Sequence, residues 1–111
     1  MLSQNFEHGK VIKNENKNAK KNIKNHINKI GQISDYNQEN KTGDILFCCG
    51  MSDLELVIKE FKKENNKSLI IYVGDNKNIL DEKIKNLIDH YLELPIYGSK
   101  IYNILAEHPD I

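Results

Sequence analysis

The chain of 111 residues has no tryptophan, no arginine, two prolines and two cysteines. Arginine is the residue best suited to bidentate contacts with phosphates and guanine bases, so its absence disfavours sequence-specific DNA binding. No apolar run approaches the roughly 18 residues that cross a membrane, and residues 1–5 lack the hydrophobic core of a secretory signal. The two cysteines, Cys48 and Cys49, are neighbours and are poorly placed for a disulfide. We therefore expect a reduced, cytoplasmic protein.

The chain is rich in lysine and asparagine. All 16 basic residues are lysine, and the many asparagines and isoleucines are typical of an AT-rich genome. Sixteen acidic residues balance the lysines, so no net charge draws the chain toward nucleic acid or an acidic membrane. Residues 1–41 are mildly basic and the remainder is mildly acidic. The length fits one domain with a modest core that needs neither metal nor disulfide.

The most informative stretch is residues 42–53. Five consecutive apolar residues, 45–49, lie between Gly43 and Gly50, which is typical of a strand covered on both faces. Ser52 or Asp53 can cap the helix that follows, whose apolar residues recur at helical spacing. A strand that leads through a glycine into a helix predicts a parallel βαβ unit.

Two similar units follow along the chain. We predict strands over 44–49, 69–73 and 92–96, and helices over 53–64, about 79–91 and a short segment after Gly98. This alternation predicts a small single α/β domain with a mainly parallel sheet of three core βα units flanked by helices. Residues 42–111 would form this βαβαβα core.

Residues 1–41 form a polar segment rich in lysine and asparagine, which could belong to the same domain. Residues 10–13 could form a short strand. Ile23, Ile27 and Ile30 have helical spacing, although the intervening asparagines are poor helix formers. Residues 30–33 could instead form a strand, followed by a loop around residues 34–35. Both alternatives stay open.

The order of glycines and apolar strands resembles the DRTGG domain, a small α/β regulatory module that shares its fold with the N-terminal domain of HPr kinase. The resemblance covers most of the chain and lies in residues 9–12, 30–34, 43–50, 69–74 and 95–99.

Three positions depart from that family's motif. Met51 and Ser52 replace an acidic residue and an arginine, and Gly98-Ser99 replaces Asp-Thr. The double glycine is represented by Val73-Gly74 or by Gly74-Asp75. The resemblance implies a regulatory module that accompanies enzymes or occurs alone, and it identifies no ligand.

Three loops follow the carboxyl ends of the predicted strands, and each contains a glycine. In open α/β sheets ligands bind at this edge, where backbone N–H groups at helix starts are available. The residues we predict to bind a nucleotide or phosphate metabolite are Gly50, Met51, Ser52, Asp53, Gly74, Asp75, Asn76, Gly98 and Ser99. Alternatively, each glycine only permits a tight turn and each polar residue caps a helix, since no phosphate-loop signature occurs.

Cys49, at the end of a predicted strand, could act as the nucleophile of a thiol-dependent, phosphotransfer-type enzyme. Adjacent strand residues point to opposite faces, however, and a buried structural role suits both Cys48 and Cys49. The four histidines show no metal-ligand spacing, and we place His90 on a helix flank. We find no complete catalytic constellation, and predict no catalytic residue and no metal site.

RNA binding is a further alternative, because residues 68–100 resemble kink-turn RNA-binding ribosomal proteins. The helix start that those proteins need is missing at Gly50–Asp53. Our leading hypothesis is a non-catalytic regulatory or ligand-sensing module without a cofactor, acting through a protein partner or as a homo-oligomer. A small phosphate-containing ligand is compatible with this hypothesis, and we expect no membrane binding.

Overall fold

In the described part of the chain, five short strands form one sheet in which every neighbouring pair is parallel. The computed structural model describes residues 9–12, 17–29, 33–36, 43–50, 53–74 and 80–108. The elements are, in chain order, β1 (Gly9–Ile12), α1 (Lys17–Ile27), β2 (Ile33–Tyr36), β3 (Ile45–Cys48), α2 (Leu54–Glu64), β4 (Leu69–Gly74), α3 (Glu82–Lys85), β5 (His90–Glu93) and α4 (Gly98–Ala106).

The strand order is β2-β1-β3-β4-β5. The chain first moves outward from β1 to β2, then returns past β1 to build β3, β4 and β5 in sequence. This is the doubly wound arrangement, in which the direction of winding reverses between β1 and β3. The predicted fold class, a small α/β domain with three parallel core βα units flanked by helices, is confirmed.

Successive residues of the central strands pack into two separate cores, as the pleat requires. Odd-numbered residues such as Ile45, Phe47 and Ile71 face α1 and α4. Even-numbered residues such as Leu46 and Ile70 face α2 and the α3 region. The continuous apolar runs in β3 and β4 therefore reflect burial on both faces.

Helix α2 forms where the sequence predicts it. Leu54, Ile58 and Phe61 recur at helical spacing and are buried on one face. Asn65 ends the helix: its backbone N–H and its side-chain amide both donate to the carbonyl of Phe61, at 2.9 and 3.0 Å. Its Oδ1 also accepts a hydrogen bond from the N–H of Gly43 at 3.2 Å, which ties the helix end to the start of the β3 segment.

The predicted helix over 79–91 is wrong in extent, because among the described residues 80–91 only Glu82–Lys85 is helical. The chain leaves the helix to pair with β4: the N–H of Asp89 donates to the carbonyl of Ile70, and Asp89 Oδ2 accepts from the N–H of Ile70. The third strand consequently begins at His90 rather than Leu92, and His90 lies in β5 rather than on a helix flank.

Strand β5 also ends earlier than the predicted 92–96. Pro95 has no N–H to donate to a ladder, and the strand stops at Glu93. The short helix predicted after residue 98 is confirmed as α4, with Ile101 and Leu105 buried.

The described parts of the N-terminal segment are two strands of this sheet and a helix that packs on it. Strand β1 pairs with both β2 and β3, and α1 buries Ala19, Ile23 and Ile27 against the sheet. Ile33 opens β2, so the loop predicted around residues 34–35 is wrong; Ile30 lies outside the described residues. None of the described helices is long and apolar enough to cross a membrane.

Candidate functional site

The predicted ligand residues follow adjacent parallel strands, but only some of them lie in the described part of the chain. Gly50 follows β3 and Gly74 ends β4, and the pairing of Cys48 with Tyr72 brings these two strand ends to the same edge of the sheet. Met51, Ser52, Asp75 and Asn76 fall outside the described residues. The structure therefore brings Gly50 and Gly74 together, and the rest of this predicted site stays a prediction.

Gly74 has a packing role that needs no ligand. A Cβ at this position would lie 2.9 Å from Cε2 and 3.0 Å from the hydroxyl oxygen of Tyr72. Tyr72 is buried two residues earlier on β4, so both residues belong to the same face of the strand. Glycine at position 74 leaves room for that ring.

Asp53 directly precedes α2 in a left-handed backbone conformation, with φ 53° and ψ 30°. Its carbonyl accepts the first helical hydrogen bond, from the N–H of Val57 at 2.9 Å. Its exposed side chain makes no capping hydrogen bond. Asp53 therefore precedes α2 as predicted, yet its side chain does not cap the helix.

Gly98 and Ser99 open α4. A Cβ on Gly98 would lie 3.0 Å from Nδ1 of His26 and 3.3 Å from Cε2 of Tyr102. The rings of His26 and Tyr102 meet edge to face, so Gly98 permits α4 to approach α1 closely. Ser99 is exposed. The ligand-binding role of both residues stays a prediction.

The thiol of Cys49 is badly placed for nucleophilic chemistry. Cys49 is 2% exposed, and burial raises its pKa to about 12, although the charge of Lys20 on α1 opposes the rise. Burial likewise raises the pKa of Cys48, with a further contribution from Cys49. His90 lies two strands away, in β5, and could not activate either thiol. A reactive thiolate needs the reverse environment, exposed and with a lowered pKa.

A groove that the sequence did not predict runs beside β5. It is open, with a volume of about 560 Å³, and lies between the outer edge of the strand and α4. Its lining residues are Asp89, His90, Tyr91, Leu92, Glu93, Lys100, Asn103 and Ile104. Strand β5 ends the sheet order, so its main chain has no strand partner on this side within the described part of the chain. We refer to this surface as the β5–α4 groove.

Lys100 closes one end of the β5–α4 groove. Its ammonium nitrogen donates to the carbonyls of Glu93 and Pro95, at 3.2 Å each. The same nitrogen lies 5.2 Å from the ring centre of Tyr97, whose side chain is more than half exposed. These contacts hold the turn after β5 against the first turn of α4.

At the other end of the groove, two histidine rings meet. His90 Nε2 and His108 Nε2 lie 2.7 Å apart, and the rings are nearly perpendicular, with centres 5.0 Å apart. His90 belongs to β5 and His108 follows α4, so this contact joins two elements 18 residues apart. Among the described residues, no group of three or more His, Cys, Asp or Glu side chains could hold a metal ion.

A second, somewhat smaller surface lies between α2 and α3. It has a volume of about 480 Å³ and includes Leu56, which is 67% exposed. Glu55 accepts from Lys59 at 2.8 Å and pairs with Lys83 at 3.1 Å. These lysines lower the pKa of the Glu55 carboxyl, chiefly through their hydrogen bonds.

Comparison with known proteins connects the chain to solved structures. No protein-family model matches it, and no curated protein matches it. Two similar structures are a response regulator receiver domain (CheY-like) from Methylobacillus flagellatus and a CheY-like protein (tadZ) from Pseudomonas aeruginosa PAO1.

The likeness to these two structures is one of fold. The first is 20% identical with a TM-score of 0.66, covering 92% of this chain and 98% of its own. The second is 12% identical with a TM-score of 0.66, covering 90% of this chain and 91% of its own. The resemblance to the DRTGG domain is therefore wrong: glycine-ended strands are shared by many α/β folds, and the chain has the fold of CheY-like receiver domains.

Proposed function

We propose that this chain is a non-catalytic regulatory module that acts by pairing with a second copy of itself through the β5–α4 groove. The open groove beside β5, the last strand of the described sheet, is the observation that carries this proposal. The receiver-like fold supports a signalling role, since one similar structure is described as a response regulator receiver domain.

The edge of β5 offers main-chain groups to a partner. An edge strand presents unpaired N–H and C=O groups, and proteins commonly use such an edge to bind another chain. Tyr97, large and exposed at the start of α4, is of the residue type enriched at protein interfaces. The groove therefore combines main-chain hydrogen-bonding capacity with an aromatic side chain beside it.

The β5–α4 groove carries charges of both signs, so the groove of one copy can pair with the groove of another. Asp89 and Glu93 supply acidic side chains, and Lys100 supplies a basic one, on the same small surface. A two-fold interface places each residue of one copy against residues of the same patch on the other. Glu93 of one copy can then face Lys100 of the second, which favours a second copy over a partner of one charge sign.

The non-catalytic part of the proposal rests on the buried thiols. Within the described residues, Cys48 and Cys49 are the thiols at the end of β3, and burial raises the pKa of both. The described residues at the ends of β3, β4 and β5 otherwise offer Gly50, Gly74 and the exposed Glu93.

Sedimentation tests the proposal over protein concentrations from about 10 µM to about 1 mM, where weak dimers form. We expect a monomer–dimer equilibrium that Glu93→Lys weakens at least tenfold, because the new lysine would face Lys100 of the second copy. The double variant Glu93→Lys, Lys100→Glu exchanges the charges and should recover part of the lost association, although it also loses the hydrogen bonds that Lys100 donates to the carbonyls of Glu93 and Pro95. Leu56→Lys, which changes the α2–α3 surface, is the matched control and should not alter dimerisation. A monomer throughout, or a dimer sensitive to Leu56→Lys instead, would contradict the proposal.

A further inference from the structure

We infer that the contact between His90 and His108 makes the β5–α4 groove sensitive to pH, so that the proposed dimer forms at neutral pH and dissociates in mild acid. Both side chains are half-buried, and their Nε2 atoms lie 2.7 Å apart. His90 also lines the groove through which the two copies would pair. The inference rests on the proposed function and deepens it, since the two histidines would regulate the same surface.

The short distance between the two nitrogens admits one hydrogen atom and not two. Each N–H bond is about 1 Å long, so two hydrogens placed between nitrogens 2.7 Å apart would lie only about 0.7 Å from each other. One ring therefore donates its N–H and the other accepts it, which requires that at least one of the two rings is neutral. Protonation of both rings breaks the contact.

Acid should open the histidine contact within the range in which histidine side chains change charge, about pH 8 to pH 5. In the unfolded chain, both rings are free to take up a proton. In the folded chain, the contact between His90 and His108 persists only while one ring stays neutral. Because the unfolded chain then binds more protons, the stability that the contact contributes is present near pH 7.5 and is lost as the pH falls through this range.

The other titratable groups near the histidine pair lie on the groove or beside the two rings. They are Asp89, Tyr91, Glu93, Lys100 and Glu107. The three carboxylate side chains are exposed, so water weakens their attraction for a charged ring. Lys100 is held at the opposite end of the groove by two carbonyls, and β4 places the apolar Ile71 in register with His90. The direct approach of the two rings therefore dominates their response to acid.

Opening the contact would weaken the dimer in two ways. His108 is tied to the end of α4 by the hydrogen bond from its N–H to the carbonyl of Leu105 at 3.0 Å, so loss of the ring contact releases the end of α4 from the start of β5. The two charged rings of each copy would also lie beside a two-fold interface, where two copies bring four like charges onto one surface. Like charges across an interface oppose association.

Sedimentation at about pH 7.5 and about pH 5.5, where the carboxylates stay ionised, tests the regulation of the dimer. We expect the dissociation constant of the wild type to rise about tenfold or more at the lower pH. His108→Gln should reduce this rise to less than about threefold, because the glutamine amide oxygen can accept a hydrogen bond from the charged ring of His90. His90→Gln is the reciprocal variant and should behave in the same way. His26→Gln is the matched control and should keep the full rise, since His26 is also half-buried but contacts Tyr102.

Thermal unfolding at about 1 µM chain, where weak dimers are dissociated, tests the histidine contact without the dimer. Between the two pH values, the melting temperature of the wild type should fall about 4 °C further than that of His108→Gln. An equal fall in both proteins would overturn the inference, and so would a dimer that weakens equally in the wild type and in both glutamine variants. A monomer at both pH values would contradict the proposed dimer and its regulation together, whereas the difference in melting temperature would still show whether the histidine contact responds to acid.

Discussion

The ring of Tyr72 lies against the backbone of Gly74, two residues further along β4, so closely that a Cβ there would come within 2.9 Å of Cε2. Tyr72 is buried on the face covered by α2 and cannot swing into solvent without opening that core. Gly74→Ala should therefore destabilise the fold by about 1–3 kcal/mol, the usual effect of overpacking. Urea unfolding measures the change.

A double-mutant cycle identifies the cause. In a Tyr72→Ala background the added methyl group meets no ring, so Gly74→Ala should lower the free energy of unfolding much less than it does in the wild type. If Gly74→Ala lowered it equally in both backgrounds, Gly74 would be needed for another reason, such as the predicted ligand.

Two aspartates that precede helices should respond oppositely to substitution. Asp53 has a positive φ and its side chain makes no cap, so Asp53→Gly should stabilise the fold by about 0.5–1 kcal/mol. Asp81 has an extended backbone, and its Oδ1 accepts from the N–H of Ile84 at 3.0 Å. Asp81→Ala should therefore destabilise it by about 1 kcal/mol. Thermal unfolding at one pH compares the melting temperatures of Asp53→Gly and Asp81→Ala with that of the wild type. If both substitutions shifted the melting temperature in the same direction, the left-handed backbone conformation of Asp53 would be contradicted.

Asp35 should contribute to the acid sensitivity of the fold. Burial opposes its ionisation, but hydrogen bonds from Lys24 and Lys20 outweigh this effect and lower its pKa below 3.8. Such a group contributes stability above its unfolded pKa, and that stability is lost as the pH falls through the lower folded value. Because the side chain is 43% exposed, the contribution is small and sensitive to salt.

Asp35→Asn tests this contribution. The variant should be less stable than the wild type at neutral pH, and the difference should close once the pH falls below the folded pKa of Asp35. Glu82→Gln removes a similar charge from a side chain that is 86% exposed and serves as the control. A constant difference between Asp35→Asn and wild type at every pH would show that the effect is not ionic.

The thiols should be protected at neutral pH and should affect stability only in alkali. The pKa of Cys49 is raised from 9.0 to about 12, so its contribution to stability is complete below pH 9. It is lost as the pH rises from there toward 12. At about pH 8, alkylation of the folded chain should be far slower than that of the urea-unfolded chain, as mass spectrometry would show. Rapid modification of Cys49 alone would instead support the alternative in which Cys49 is the nucleophile of an enzyme.

The ligand predicted at the strand ends can be sought by thermal shift with a panel of nucleotides and phosphate metabolites. A ligand bound only by the folded chain raises the melting temperature. Gly50→Val should abolish that rise while leaving most of the basal stability, because Gly50 is only half-buried after β3. No shift at millimolar concentration would count against ligand sensing and leave the protein-contact role.

The sequence predicts the centre of this fold better than its edge. Strand β3 and helix α2 follow from an apolar run between glycines and from helical spacing, both local patterns. The start of β5 depends on the paired hydrogen bonds between Asp89 and Ile70, 19 residues apart, and the spacing of Leu80, Ile84 and Ile88 suits a longer helix equally well. The hydrogen bonds between Asp89 and Ile70 favour the earlier start of the strand over the longer helix.

The candidate surfaces were harder still to predict. The β5–α4 groove exists because β5 is the last strand of the sheet, which a strand-by-strand prediction does not reveal. The histidine pair joins residues 90 and 108, whose spacing matches no metal motif. The packing of Tyr72 on Gly74 depends on a side-chain rotamer, so a glycine with a steric role resembled one with a binding role.

The adjacent thiols can serve as probes of local opening on the two faces of the sheet. Cys48 belongs to the core under α2, and Cys49 to the core under α1 and α4. A transient lifting of one helical layer would expose one sulfur and leave its neighbour covered. The ratio of the two singly labelled products, read from a single peptide, would therefore tell which side of the sheet opens first.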